Sequence, residues 1–208
     1  MTFFKKNIGV LMVFIGILMQ LITFSLTNDS LLSLISGISG VLSVVFCSQR
    51  KIAFYLWSFI QLITYTIICC QLSLYGKLIE NAFYFITLIG GLFIWKSNSN
   101  DGVVNTKQLT EKQFVLIIAL MLFLIIEGTF ILQNFKSNQP LLDSATTVIG
   151  IMAQILMILR FKENWVLWFI QDIICIILWT NVNNYCMVSQ YIFWTINTIY
   201  GYYIWNKK

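Results

Sequence analysis

Eight apolar stretches, each close to 20 residues long and divided by short polar breaks, decide what this chain can become. They fall at 8–26, 31–48, 53–73, 76–95, 113–134, 141–159, 164–182 and 186–205. About 20 apolar residues in a helix span a hydrocarbon core of roughly 30 Å, and such a helix satisfies its own backbone there. The breaks carry turn residues, as in Thr27-Asn28-Asp29-Ser30 and Asn181-Val182-Asn183-Asn184. One connection is long, 96–112. The chain is 59% hydrophobic and 10% charged, where soluble domains carry roughly 25% charged residues. The expectation is one all-α transmembrane domain over 1–208, with no soluble domain anywhere.

Charge placement supports eight spans and gives an orientation. If the N-terminus is cytoplasmic, only Lys77 and Lys136 fall outside, and the other 11 of 13 basic residues fall inside. That is a positive-inside bias which the loss or gain of one span would scramble. A multi-pass protein of the plasma (inner) membrane with both termini in the cytoplasm follows. The net charge of +5 then reports orientation, and no nucleic-acid partner is implied. The first stretch follows Lys5 and Lys6 but has no A-x-A-like cleavage site at 19–25, so it reads as a retained helix.

The apolar units are also repeated. Gly40, Arg50, Gly91 and Trp95 recur as Gly150, Arg160, Gly201 and Trp205, each 110 residues on. Trp57 and Gln61 recur as Trp168 and Asp172 at an offset of 111, which implies a one-residue slip in the intervening loop. Repeat one is 31–95 and repeat two 141–205, with a linker helix at 113–134 and an extra helix at 8–26. Equivalent helices lie four spans apart and cross in the same direction. This is a parallel 3+1+3 repeat, a logic shared with the SWEET transporters, and it places a pathway between the halves.

Polar residues within the spans mark that pathway. On the third helix Trp57, Gln61, Thr64 and Tyr65 share a face, and on the seventh Trp168, Gln171, Asp172, Cys175 and Trp179 do. The fourth helix aligns Glu80, Tyr84, Thr87, Gly91 and Trp95, with Asn81 alongside, and the eighth aligns Gln190, Trp194, Asn197, Gly201 and Trp205. Small residues on the second and sixth helices, such as Gly40, Ser43 and Gly150, read first as close helix packing. Trp57, Trp95, Trp165 and Trp205 lie near span ends, where an interfacial belt competes with ligand stacking. Asp172 stands apart. It lies about 8 residues, or roughly 12 Å, inside its helix, where an aspartate costs roughly 2.5–3.5 kcal/mol and faces a cavity or a partner. Glu127, about 7 residues from its span end, is free to snorkel or bond locally.

Carboxylate, amides and aromatic faces suit a ligand with hydroxyls and a neutral or weakly cationic ring. A phosphorylated ligand fits poorly, because no Lys or Arg sits at mid-membrane. The chain has no histidine, and the five cysteines (Cys47, Cys69, Cys70, Cys175, Cys186) match no metal spacing and read as small buried hydrophobes. No cofactor, metal or enzymatic residue set is expected.

The run Glu163-Asn164-Trp165-Val166-Leu167-Trp168, followed by Asp172, Tyr185, Tyr191, Gly201 and Trp205, resembles the C-terminal signature of the PnuC family of vitamin transporters. Leu74-Tyr75 followed by Asn81, Phe83, Gly91 and Trp95 resembles its first-repeat counterpart. The chain departs from the family pattern at Gln61, Leu88 and Leu92. The resemblance implies facilitated diffusion of a vitamin or nucleoside precursor, nicotinamide riboside foremost, with trapping by a cytoplasmic kinase. Thiamine, riboflavin and deoxynucleoside carriers are alternatives within the family, and a non-transporting membrane subunit is the alternative outside it. The expected substrate site comprises Trp57, Gln61, Asn81, Tyr84, Trp168, Asp172, Trp194 and Asn197. Partners beyond the small molecule, the lipid bilayer and the kinase reduce to a homo-oligomer, which the sequence leaves open.

Overall fold

The computed structural model describes residues 2–27, 30–71, 75–134, 139–181 and 185–206. Among these are eight helices: α1 (Thr2–Thr27), α2 (Leu31–Ser48), α3 (Phe54–Gln71), α4 (Tyr75–Ser97), α5 (Glu111–Asn134), α6 (Pro140–Ile158), α7 (Asn164–Asn181) and α8 (Tyr185–Asn206). Five of them, α1, α2, α5, α6 and α7, are long and apolar enough to cross a membrane. Of the residues singled out above, Asn28, Asp29, Leu74, Lys136, Val182, Asn183, Asn184, Lys207 and Lys208 lie outside the described residues. So do the side chains of Lys5, Lys6, Cys69, Tyr75, Lys77, Tyr185 and Cys186.

Local chemistry sets the helix ends. The Ser30 hydroxyl caps α2 by accepting from the Ser33 amide at 3.1 Å. Thr110 and Gln113 form a reciprocal capping box at the start of α5 (3.0 and 3.3 Å). Pro140 opens α6, where its missing N–H costs nothing. The exits of α2 and α6 are alike. Arg50 and Arg160 adopt left-handed φ values of 61° and 69°, and the amides of Arg50 and Lys51 return to the carbonyls of Cys47 and Phe46. Arg160 and Phe161 bond Met157 and Leu156 in the same way, a Schellman closure in both places.

The expected slip in the loop is absent. Each arginine is followed by one bridged residue and two turn residues before the next helix starts, at Phe54 and at Asn164. The offset therefore stays at 110 through α3 and α7. A Cβ on Gly40 would touch Gln61, and a Cβ on Gly150 would touch Gln171. Gln61 thus corresponds to Gln171, and Asp172 stands where the first half has Leu62. Trp57 and Trp168 are therefore not at equivalent positions.

The 96–112 connection is not wholly irregular. Strands β1 (Ser99–Asn100) and β2 (Val103–Val104) form a hairpin, turned by Asp101 and Gly102 at positive φ. It straps both arginine loops. The Val104 amide donates to the Arg50 carbonyl at 3.0 Å, and the Lys107 amide to the Arg160 carbonyl at 2.7 Å. Glu163 accepts from the Leu109 amide at 3.1 Å.

Hairpin neighbours α2–α3, α3–α4, α6–α7 and α7–α8 pack together, and α2 meets α8 as α4 meets α6. Helix α1 lies against α2 and α8, and α5 packs chiefly on α6. Outward faces are apolar, with Val10 and Phe14 on α1 and Leu116, Phe123 and Phe130 on α5 exposed. Polar groups such as Asn81, Gln171, Asp172 and Asn197 are inside. This inversion of the soluble pattern is what a lipid environment demands.

Candidate functional site

A cavity of about 160 Å³ lies among α2, α3, α4, α6, α7 and α8, and no residue of α1 or α5 lines it. At 10–15 Å³ per water position, it has room for a small molecule rather than one or two waters.

Seven of the eight expected residues line this cavity. From α3 comes Gln61, facing Gly40. Trp57 is the exception, half-buried and outside the lining. With the register at 110, Trp168 corresponds to Ser58, which does line the cavity and shares a 2.6 Å hydrogen bond with Ser43. From α4 come Asn81, donating to Thr66 Oγ1 at 3.4 Å, and Tyr84, whose hydroxyl donates to Glu80 Oε1 at 2.8 Å. From α7 come Trp168, edge-on to Tyr84 at 6.5 Å, and Asp172. From α8 come Trp194, edge-on to Tyr191 at 5.0 Å, and Asn197, whose amide donates to the Val44 carbonyl at 3.1 Å.

The distribution of satisfied and orphaned polar atoms gives the site its character. Asp172 is 2% exposed and Asn197 fully buried. Asp172 Oδ2, Asn197 Oδ1 and Gln171 Oε1 are buried acceptors with no hydrogen-bond partner among the described residues. Trp165 Nε1 and Trp194 Nε1 are donors in the same condition. A buried polar group left unpaired costs about 1–3 kcal/mol, and all five, three acceptors and two donors, belong to residues that line this cavity. Among the described residues, no lysine or arginine lines it.

An aromatic cluster borders the cavity through Phe54 and Trp165. Trp95 and Trp205 are 0% and 1% exposed, with ring centroids 5.8 Å apart. Their indole N–H groups cross over, Trp95 to the Met157 carbonyl at 3.2 Å and Trp205 to the Cys47 carbonyl at 3.3 Å. Trp165 packs edge-on to Trp205 at 5.6 Å and lines the cavity. These three are interior residues, and the interfacial belt offered for them does not hold. Val104 of the strap joins the same cluster, so the span ends here are covered by protein.

The signature run now has a physical reading. Glu163 ties down the strap, Asn164 bonds the Phe161 carbonyl at 2.5 Å, Trp165 packs on Gly201, and Trp168 reaches the cavity. Residues absent from the expected set include Glu80, Tyr65, Gln154, Gln171 and Tyr191. A strict offset of 110 would have found Gln171 as the partner of Gln61. Glu127 is exposed on α5, away from the cavity. Cys47 and Cys175 are buried as expected, whereas Cys70 is exposed.

Comparison with known proteins agrees with this architecture. The family model described as nicotinamide mononucleotide transporter matches residues 30–207. The nicotinamide riboside transporter PnuC of Haemophilus influenzae is 36% identical over 199 residues, covering 92% of this chain and 86% of that protein. The protein of the same name from Neisseria mucosa is 31% identical over 214 residues, covering 95% and 79%. A crystal structure of the vitamin B3 transporter PnuC superposes with a TM-score of 0.80 at 28% identity, covering 95% of this chain and 89% of that one.

Proposed function

This chain belongs to the PnuC family of membrane transporters, and we propose that it imports nicotinamide riboside across the plasma membrane by facilitated diffusion. The observation that carries this reading is the lining of the cavity: orphaned acceptors, aromatic faces and no basic side chain. The acceptors of Asp172, Gln171 and Asn197 suit ribose hydroxyls and a carboxamide, with Gln61 and Asn81 adding amides. Tyr84, Trp168 and Trp194 suit the ring. A mononucleotide would bring a phosphate into this cavity with no Lys or Arg to meet it, so the unphosphorylated riboside is the better cargo.

In this reading α1 precedes a parallel 3+1+3 repeat, α2–α4 and α6–α8 with α5 as linker, and both termini face the cytoplasm. The two bundles rock about the cavity as a uniporter, and a cytoplasmic kinase traps the arriving riboside. The crossed Trp95 and Trp205 hydrogen bonds, each joining one bundle to the other, would then close the cavity at its strapped end. The test is uptake into proteoliposomes of labelled nicotinamide riboside, its mononucleotide, thiamine, riboflavin and a deoxynucleoside. Saturable uptake of the riboside without the mononucleotide is expected, with no imposed ion gradient required. Absence of saturable uptake for every compound overturns the carrier reading, and a strict need for a proton or sodium gradient overturns uniport.

A further inference from the structure

We propose that Glu80 turns this cavity into a charge filter that prefers cationic heteroaromatic cargo over neutral rings of the same shape. The inference rests on the carrier reading above and narrows its substrate class. Two carboxylates, Glu80 and Asp172, line the cavity, and no Lys or Arg does. Asp172 is 2% exposed with Oδ2 unpartnered among the described residues. Glu80 is 5% exposed and is held by the Tyr84 hydroxyl at 2.8 Å. The same Tyr84 ring lies edge-on to Trp168 at 6.5 Å. Tyr191 also lines the cavity and packs edge-on to Trp194. Acidic groups and aromatic faces around one space are the chemistry that recognises a delocalised cation.

Neither carboxylate is required by the scaffold. The residue 110 positions after Glu80 is Gln190, also 5% exposed, and the residue 110 positions before Asp172 is Leu62. The same helical position is therefore filled by an amide in one half and an acid in the other. The acid is an addition to a frame that accepts glutamine. A pyridinium or thiazolium ring would enter this cavity favourably. One charge pair at roughly 6 Å and an effective dielectric of about 20 is worth a factor of about ten to a hundred in affinity.

The experiment compares nicotinamide riboside with benzamide riboside in proteoliposomes containing the full chain. The two share sugar, carboxamide and ring shape, but the second has carbon in place of the ring nitrogen and is neutral. The wild type should show a KM about tenfold or more lower for the cation. Glu80→Gln should raise the KM for the cation about tenfold and that for the neutral riboside by much less, with Glu80→Asp restoring part of the preference. Equal KM values in the wild type, or equal changes for both ribosides in Glu80→Gln, overturn the filter while the carrier reading stands. Uptake of thiamine and of neither riboside overturns nicotinamide riboside as cargo and supports the filter. Preferred uptake of a neutral deoxynucleoside overturns both.

Discussion

Asp172→Asn separates function from stability in one substitution. Asp172 is 2% exposed on α7, lines the cavity, and leaves Oδ2 without a partner among the described residues. Holding an acid at this depth carries a cost of roughly 2.5–3.5 kcal/mol on insertion scales. The matching position in the first half, Leu62, is apolar, so the scaffold gains nothing from the charge. Asparagine keeps the shape and removes the acid, and the variant should unfold at the same temperature as wild type or higher. Uptake should move the other way. A net hydrogen bond contributes about 0.5–1.5 kcal/mol, which corresponds to a roughly 2- to 12-fold rise in KM for nicotinamide riboside. Asp172→Ala, which also removes the acceptor, should abolish uptake. The assays are thermal unfolding of the purified protein in detergent and initial uptake rates in proteoliposomes from the same preparation. An unchanged KM would remove Asp172 from the binding site. A loss of uptake that tracks a loss of stability would make it a structural residue and refute the reasoning.

Three further outcomes follow from the same geometry. Gly201→Ala should destabilise the protein by about 1–3 kcal/mol, because the new Cβ would lie 2.7 Å from three ring atoms of Trp165. Gly90→Ala, whose Cβ meets nothing within 4 Å, should leave the unfolding temperature unchanged, and equal effects would contradict the packing. Trp168→Ala should raise the uptake KM, whereas Trp57→Ala, outside the cavity lining, should leave it near wild type. Glu127→Gln should retain most uptake, since Glu127 is exposed on a helix that does not reach the cavity, and a complete loss would place function on α5.

The eight helices and the inward stripes were legible, and five of the eight expected spans, those of α1, α2, α5, α6 and α7, are long and apolar enough to cross a membrane. Long apolar runs mark helices, and amides at helical spacing mark the protected face, as Gln61, Asn81 and Asn197 do. What was not legible depended on register and on cover. Matching like with like paired Trp57 with Trp168 and produced a false slip, while the two loops are the same length and the glycines contact Gln61 and Gln171. Trp95 and Trp205 near span ends carry the composition of an interfacial belt. Helix residues such as Phe54, Tyr55 and Trp165 bury them together with Val104 of the strap, whose strands of two residues each are too short to show a period. Its Asp101-Gly102 turn was the one local signal available.

Glu80 shows why a stripe does not define a site. In the sequence it is one member of the series Glu80, Tyr84, Thr87, Gly91 and Trp95, and that spacing places all five on one face of α4. The face serves two purposes along its length. Gly91 and Trp95 pack against residues of the aromatic cluster, Tyr55 and Phe54 among them, and Glu80 and Tyr84 open onto the cavity. The same division holds on α8, where Gly201 and Trp205 pack while Trp194 and Asn197 line the space. Positions 110 apart agree where helices must touch, as glycine with glycine and tryptophan with tryptophan. Gln61 and Gln171 also agree, but several lining positions differ: Glu80 against Gln190, Leu62 against Asp172, Tyr84 against Trp194. Under the proposed cargo, a ligand with a ring at one end and a sugar at the other needs different side chains on the two sides of the cavity. Substitutions at Glu80, Asp172 and Trp194 should therefore change which compound is carried before they change whether the bundle folds.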